Sequence, residues 1–317
     1  MTNWLPGERR VVSPYNGLKV YGGSSVEDEE LKQLVMAQSE IETLDVLKLA
    51  DRTRSIWDKG ALPLMHKTTF KSASEDAYMS GLMWREEELS LPNNYEMAKR
   101  RLQSLERKSE SYPERYAKSI QDDIEKGYVK KLSKEEEVQC DSKVTWYLPH
   151  RFGINRKNAD RLRRVYDASA KFIGQSLNDK IYTEQDLLSS LFGVYSGCEG
   201  RIAMAADVKE MYHMLRLPDR DKPALRFLWR NSLKEEPSVY QLERTVFGEV
   251  SAPSTANYTM RRNADENGED LPLGVKAVYQ HFYIDDGLPS TDSREGSIEM
   301  RKQMTELLRR GGVRLHK

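Results

Sequence analysis

The chain has 317 residues, a length that holds about two domains at the usual ~150 residues each. Hydrophobic residues make up 38% and charged residues 32%, and no apolar run approaches the ~18 residues of a spanning helix, so neither a membrane-embedded chain nor a membrane partner is expected. Lys+Arg and Asp+Glu both total 50, and a net charge of zero argues against a globally basic nucleic-acid binder.

The N-terminal residues Met1–Arg10 offer no apolar core of signal-peptide length, so an intracellular, cytoplasmic protein is expected. Cys140 and Cys198 are too far apart for a CxxC motif, and two cysteines make no disulfide framework. The five histidines lack metal-ligand spacing and read as surface or packing residues. Charge is nonetheless uneven. Residues 26–45 carry seven acids against Lys32, a net of −6, whereas residues 150–180 carry eight bases against three acids, a net of +5. A local basic arm is the footprint that phosphates select.

In chain order, residues 26–59 are acidic with apolar residues near a helical period, and Gly60 and Pro63 are expected to end that helix. Residues 60–92 read as irregular. Pro92-Asn93-Asn94 opens a helix bearing Met97, Leu102 and Leu105, and Pro113 starts another that runs to Gly127. Val144–Pro149 and Arg164–Tyr166 read as strands of a hairpin-like pair around a basic loop at residues 155–161. Ile181–Leu191 is predicted helical, and Arg201–Ala206 reads as a buried strand that ends at Asp207. Leu225–Trp229 and Ser238–Arg244 are predicted strands, and Ala252–Glu266 a helix. Tyr279–Ile284 is a predicted strand running into the turn Asp285-Asp286-Gly287. Met300, Met304, Leu307 and Leu308 form a helical stripe ending at Gly311-Gly312.

Two adjacent carboxylates, Asp285 and Asp286, at a hairpin tip repel each other unless a cation or partner neutralises them, although DDG is also an ordinary turn. Asp207 follows an apolar strand 78 positions before Asp285, and one sheet could gather all three. Three oxygen ligands near one point suit the paired divalent ions that stabilise attacking and leaving oxygens in phosphoryl transfer.

Six segments occur in a fixed order: Leu91–Ala98 (LPNNYEMA), Arg164–Lys171 (RVYDASAK), Ser176–Asp179 (SLND), Ala206–Tyr212 (ADVKEMY), Phe247–Ser254 (FGEVSAPS) and Tyr283–Gly287 (YIDDG). Together they resemble the reverse transcriptases of the Pao/BEL class of long-terminal-repeat retrotransposons, over about residues 91–317. The resemblance implies an α+β fold, the fingers and palm of a right-hand polymerase with an antiparallel palm sheet, preceded over residues 1–90 by a mostly helical or irregular linker-like segment. It further implies that the chain is a piece of a polyprotein that ends before the thumb, so that its own grip on a duplex is expected to be weak. The implied activity is RNA-directed DNA polymerisation, in which a primer 3′-hydroxyl attacks the α-phosphate of a deoxynucleoside triphosphate. Implied partners are a primed RNA or DNA template, deoxynucleoside triphosphates and other polyprotein segments.

By the same resemblance, Asp207 and Asp285 hold two Mg²⁺ ions, for which Mn²⁺ can substitute, and Asp286 supports or completes the cluster. Tyr212 matches the aromatic that closes the pocket under the sugar; its alternative is an ordinary core aromatic. Arg163 falls where a guanidinium grips the triphosphate, and Arg164 beside it could exchange roles. Lys157 and Arg161 either add charge there or are solvated at a hairpin tip. Gly248 lies where backbone approaches the nascent pair. Phe247 departs from the glutamine of many retroviral relatives and points to apolar packing at that position. A rival reading is a non-catalytic remnant, truncated or domesticated, that only binds nucleic acid or a partner; a template-directed RNA polymerase is disfavoured by Tyr212.

Overall fold

A computed structural model describes residues 56–72, 77–108, 113–138, 142–154, 162–182, 193–194 and 200–316. The acidic segment before residue 56, the basic loop at 155–161, most of the helix predicted at 181–191 and both cysteines lie outside the described residues. The described part is mixed α+β, with seven α-helices and small antiparallel sheets among the described residues. No helix among them is long and apolar enough to cross a membrane.

Helix α1 (Ile56–Thr68) runs through Gly60 and Pro63 rather than stopping there. Its Ala61, Met65 and Thr68 are buried at helical spacing, and that burial outweighs the helix-breaking tendency of an exposed proline. Strands β1 (Thr69–Lys71) and β2 (Tyr78–Ser80) follow as a hairpin, so residues 60–92, read as irregular, are largely ordered. They also belong to the compact unit Ser55–Lys317. Asp221 explains much of this docking. Its buried carboxylate accepts from the Leu82 backbone N–H and from Trp84 Nε1, both at 2.8 Å, while burial pushes its pKa up against those bonds. The hairpin is tied on its other side by Tyr78, whose hydroxyl donates to Glu266 at 2.6 Å.

Helices α2 (Tyr95–Lys108) and α3 (Pro113–Glu125) form as expected, and α3 ends at Gly127. Buried Asn94 clamps Tyr147, donating to its carbonyl and accepting from its N–H at 2.8 Å each. After β3 (Val129–Lys131) and the short α4 (Lys134–Val138), the expected hairpin is present but displaced: β4 is His150–Ile154, not Val144–Pro149, and it pairs with β5 (Leu162–Tyr166). The 144–149 stretch instead runs beside β8 (Arg226–Trp229), Leu148 donating to the Arg226 carbonyl at 2.7 Å. β8 pairs with β9 (Ser238–Leu242), which pairs with β3, and one apolar cluster including Trp146, Tyr166 and Phe227 packs here.

The predicted strand 201–206 breaks into β6 (Ile202–Ala203) and β7 (Ala206–Val208), because its small side chains bury little; only Ala206 of its three alanines is buried. Helix α5 (Ala252–Asn267) matches expectation, whereas α6 (Pro272–Gln280) occupies part of the predicted strand 279–284. Gly274 lies inside α6, where a Cβ would stand 2.9 Å from the Gln303 carbonyl, so its helix-weakening absence of a side chain permits close packing on α7 (Arg294–Arg310). The strand shortens to β10 (Phe282–Tyr283), followed by β11 (Asp286–Gly287), β12 (Ser290–Thr291) and, after α7, β13 (Leu315–His316). One four-stranded sheet runs β10-β11-β7-β13, and a second apolar cluster joins it to α5, α6 and α7.

His150 lies at the centre of the first cluster. Its Nε2 stands 3.0 Å from the Leu228 carbonyl, an obligate acceptor, so Nε2 carries the proton and Nδ1 accepts from the Tyr116 hydroxyl. Burial lowers its pKa to about 4, outweighing the bond to Leu228. Because the folded state resists protonation and the unfolded state does not, stability conferred by neutral His150 is complete above about pH 6.5 and is lost as pH falls toward 4. Urea unfolding should register a loss on the order of 2–3 kcal/mol across that window. His150→Gln, which does not titrate, should flatten that part of the profile, and an unchanged slope would contradict the assignment.

Candidate active site

In β7, Ala206 and Val208 are buried against the apolar cluster, and strand alternation turns Asp207 to the opposite, open face. Asp207 is directly opposite Asp286 of β11 in the antiparallel register. Directly opposed residues share a face with Cβ atoms about 5 Å apart, and like charges so placed repel. The two aspartates, 79 residues apart in the chain, are therefore brought together by the sheet. On the other flank of Asp207, His316 of β13 is its register partner. Asp285 sits in the two-residue turn between β10 and β11, and its carbonyl accepts from the Val208 N–H at 2.8 Å.

That turn carries strain. Ile284, its first residue, has φ of 55°, a left-handed conformation that costs a β-branched side chain roughly 1–2 kcal/mol. Ile284 is held by packing against the apolar cluster, and the hairpin pairs Tyr283 with Asp286. A strained residue retained next to two carboxylates at a sheet end is the pattern found at functional sites.

The donor set is one that a hard cation accepts. Mg²⁺ commonly takes one or two protein carboxylates together with substrate phosphates and water, and the strand register sets two aspartates, Asp207 and Asp286, opposite each other with Asp285 next in the chain. Among the described residues no three His, Cys, Asp or Glu side chains are grouped as a ready-made metal cage. No ion pair among the described residues joins Asp207 or Asp286 to a cationic side chain.

Five residues beyond Asp207, Tyr212 lies in a 3₁₀ turn, Met211–Met214, and its ring meets that of Phe247 edge to face, centroids 5.3 Å apart at 84°. Phe247 is 59% exposed, so an apolar side chain is open to solvent beside Tyr212. Next to it, Gly248 has φ of 112°, and a Cβ there would lie 2.1 Å from the Tyr166 carbonyl oxygen. Asn178 holds the same loop from the side: its Nδ2 donates to the Gly248 carbonyl at 3.1 Å and its Oδ1 accepts from the Val250 N–H at 3.2 Å. Nδ2 also reaches Ser169 Oγ at 3.0 Å, so the segments containing Tyr166, Asn178 and Gly248 converge at one point.

Arg164 is committed elsewhere. Its side chain is 4% exposed, pairs with Asp123 at 3.2 Å, donates to Ser119 Oγ at 2.8 Å and to the Tyr166 hydroxyl at 3.1 Å, and stands 5.6–5.9 Å from the ring centroids of Tyr116, Tyr166 and Phe227. It braces α3 against β5, so exchange of roles with Arg163 in gripping a triphosphate is not available to it. Arg163 lies in β5 opposite Gly153, and its side chain is outside the described residues, as are Lys157 and Arg161.

Two residues important to this geometry have no role in the sequence reading. Asn178 lies in the Ser176–Asp179 segment, and its amide, with both a donor and an acceptor, can bond a carbonyl and an N–H at once, although no local pattern marks that use. Glu210, three residues after Asp207, adopts φ of 53° and bonds to Lys126 and Tyr128, contacts that no local pattern foretells. No family model matches the chain, and no curated protein matches it.

Gly248→Ala should destabilise the protein by about 2 kcal/mol or more, since it combines an unfavourable φ with a backbone collision. Chemical denaturation measures this directly. Asn178→Ala, which removes only the clamp, should cost about 1 kcal/mol.

Proposed function

We propose that the chain is the fingers and palm of an RNA-directed DNA polymerase of the Pao/BEL retrotransposon type, with the β10-β11-β7-β13 sheet as its palm. The observation that supports this most is the direct opposition of Asp207 and Asp286, with Asp285 in the adjoining turn. Two carboxylates set face to face on an open sheet repel, and divalent cations meeting phosphate oxygens there would relieve that repulsion.

In this reading Asp207 and Asp285 hold the metal ions, and Asp286 completes the cluster. Bound divalent ions would neutralise the charge that builds on the attacking 3′-oxygen, the α-phosphate and the leaving pyrophosphate. The chain's own residues position the reactants. Asp207 is fixed by a three-strand register, and Asp285 by the bond from Val208 to its carbonyl. Tyr212 and Phe247 offer an aromatic corner to the sugar and base of the deoxynucleoside triphosphate, and a ribose 2′-hydroxyl would meet the Tyr212 ring. Gly248, Asn178 and Tyr166 fix the loop on which Phe247 stands. Arg163 remains the residue for the triphosphate. Positioning and electrostatics are the whole protein contribution to such a reaction.

Addition of a single deoxynucleotide to a primed RNA template, in Mg²⁺ or Mn²⁺, tests the proposal. Asp207→Asn should reduce addition on the order of 10²-fold or more while primer-template binding stays within about twofold. Wild-type and Asp207→Asn protein that bind the template equally, with neither extending it, would favour the non-catalytic remnant and end the polymerase reading.

A further inference from the structure

Glu210 occupies a conformation that it would not adopt unaided. With φ of 53° and ψ of 42° it is left-handed, and it opens the 3₁₀ turn that carries Tyr212, its carbonyl accepting from the His213 N–H at 2.8 Å. Its carboxylate is gripped at both oxygens. Oε1 lies 2.5 Å from Lys126 Nζ, and Oε2 accepts from the Tyr128 hydroxyl at 3.0 Å. Partial burial would raise its pKa, but the Lys126 and Tyr128 bonds outweigh it and hold the carboxyl below its usual range.

The anchor is itself rigid. Lys126 and Tyr128 flank Gly127 at the end of α3, and the Tyr128 carbonyl accepts from the Glu243 N–H at 2.9 Å. The Tyr128 ring packs edge to face on His213 at 4.7 Å, and His213 Nδ1 lies 3.2 Å from the Thr245 carbonyl. Thr245 leads directly to Phe247, the partner of the Tyr212 ring. The turn is thus fastened at its start by Glu210 and along its length by His213, and between those two fastenings lies Tyr212.

We propose that Glu210 is a positioning residue for sugar selection: the Lys126–Glu210–Tyr128 tie fixes the left-handed turn that sets how far the Tyr212 ring stands over the sugar, and so governs discrimination of deoxyribonucleotides from ribonucleotides. This rests on the polymerase reading above. An ion pair this exposed contributes little to fold stability, so its loss acts on the geometry of the turn more than on folding.

The test uses the 317-residue protein, Mg²⁺, and dATP and ATP each carrying the same fluorophore on the γ-phosphate, with affinity read from fluorescence anisotropy. Wild type should favour dATP. Glu210→Ala and Glu210→Gly, the latter relieving the backbone cost without restoring the tie, should each reduce that preference about threefold or more, chiefly by tighter ATP binding. The double variant Lys126→Glu/Glu210→Lys, which reverses the pair, should return the preference to within about twofold of wild type. If Glu210→Ala lowers the melting temperature by more than about 5 °C, Glu210→Gln, which keeps the length and loses the charge, takes its place. Unchanged preference in the folded variants overturns the positioning role and leaves the polymerase reading standing, and failure of the reversed pair to restore it overturns the tie as the positioning contact. A wild type that binds neither nucleotide overturns the polymerase reading and this proposal with it.

Discussion

Strand β7 is only three residues long, and its alternation is the constraint on which the candidate site depends. Ala206 and Val208 face inward to an apolar cluster shared with α5, α6 and α7, and this burial leaves Asp207 no direction but outward. A shift of one residue would bury the carboxylate and expose two apolar side chains, so the hydrophobic pattern enforces the register. Once Asp207 faces outward, pairing with β11 puts Asp286 beside it, and pairing with β13 puts His316 on its other flank. The grouping of residues on the open face is thus specified by packing on the closed one.

The aromatic pair beyond that sheet depends on backbone contacts. Phe247 stands on a loop that approaches the Tyr166 carbonyl so closely that only glycine fits at position 248, while the Asn178 amide satisfies both a carbonyl and an N–H of the same loop. Tyr212 stands on a turn held by Glu210. Each ring is exposed or half-exposed, yet neither stands on a free segment. In the polymerase reading proposed above, support of this kind beneath accessible rings would let them select among ligands that differ by one hydroxyl group.

The long helices were legible in the sequence because their signals are local: Pro113 and Gly127 bracket α3, and Met300, Met304, Leu307 and Leu308 mark the buried stripe of α7. Strands β8 and β9 were legible for the same reason. Residues 60–92 were not, because their order comes from partners more than a hundred positions away: Asp221 for Leu82 and Trp84, Glu266 for Tyr78. Helix α6 was missed since its glycine serves a contact with α7 rather than its own propensity. At the candidate site, the aspartates could be selected from residue type and spacing, whereas Tyr212 and Phe247 were singled out only by the resemblance to reverse transcriptases. The register of the aspartates could not be read in this way, and Arg164 illustrates the limit: adjacent arginines are indistinguishable in sequence, whereas alternation in β5 puts Arg164 among aromatic rings and a carboxylate.

The disposition of charge gives the site its meaning. Burial makes an unpaired charge costly, and several buried polar groups of this chain have partners of matching kind. Arg164 has Asp123, the buried Asp221 carboxylate has two N–H donors, His150 stays neutral between a hydroxyl and a carbonyl, and buried Glu249 accepts from the Ser251 N–H and hydroxyl. Against that practice, Asp207 and Asp286 face each other with no cationic side chain paired to either among the described residues. The repulsion is tolerable on an open face in water, but it favours any state in which positive charge arrives there from outside the chain. The Asp207–Asp286 pair is thus held by strand register and by the packing behind β7, against the mutual repulsion of its charges.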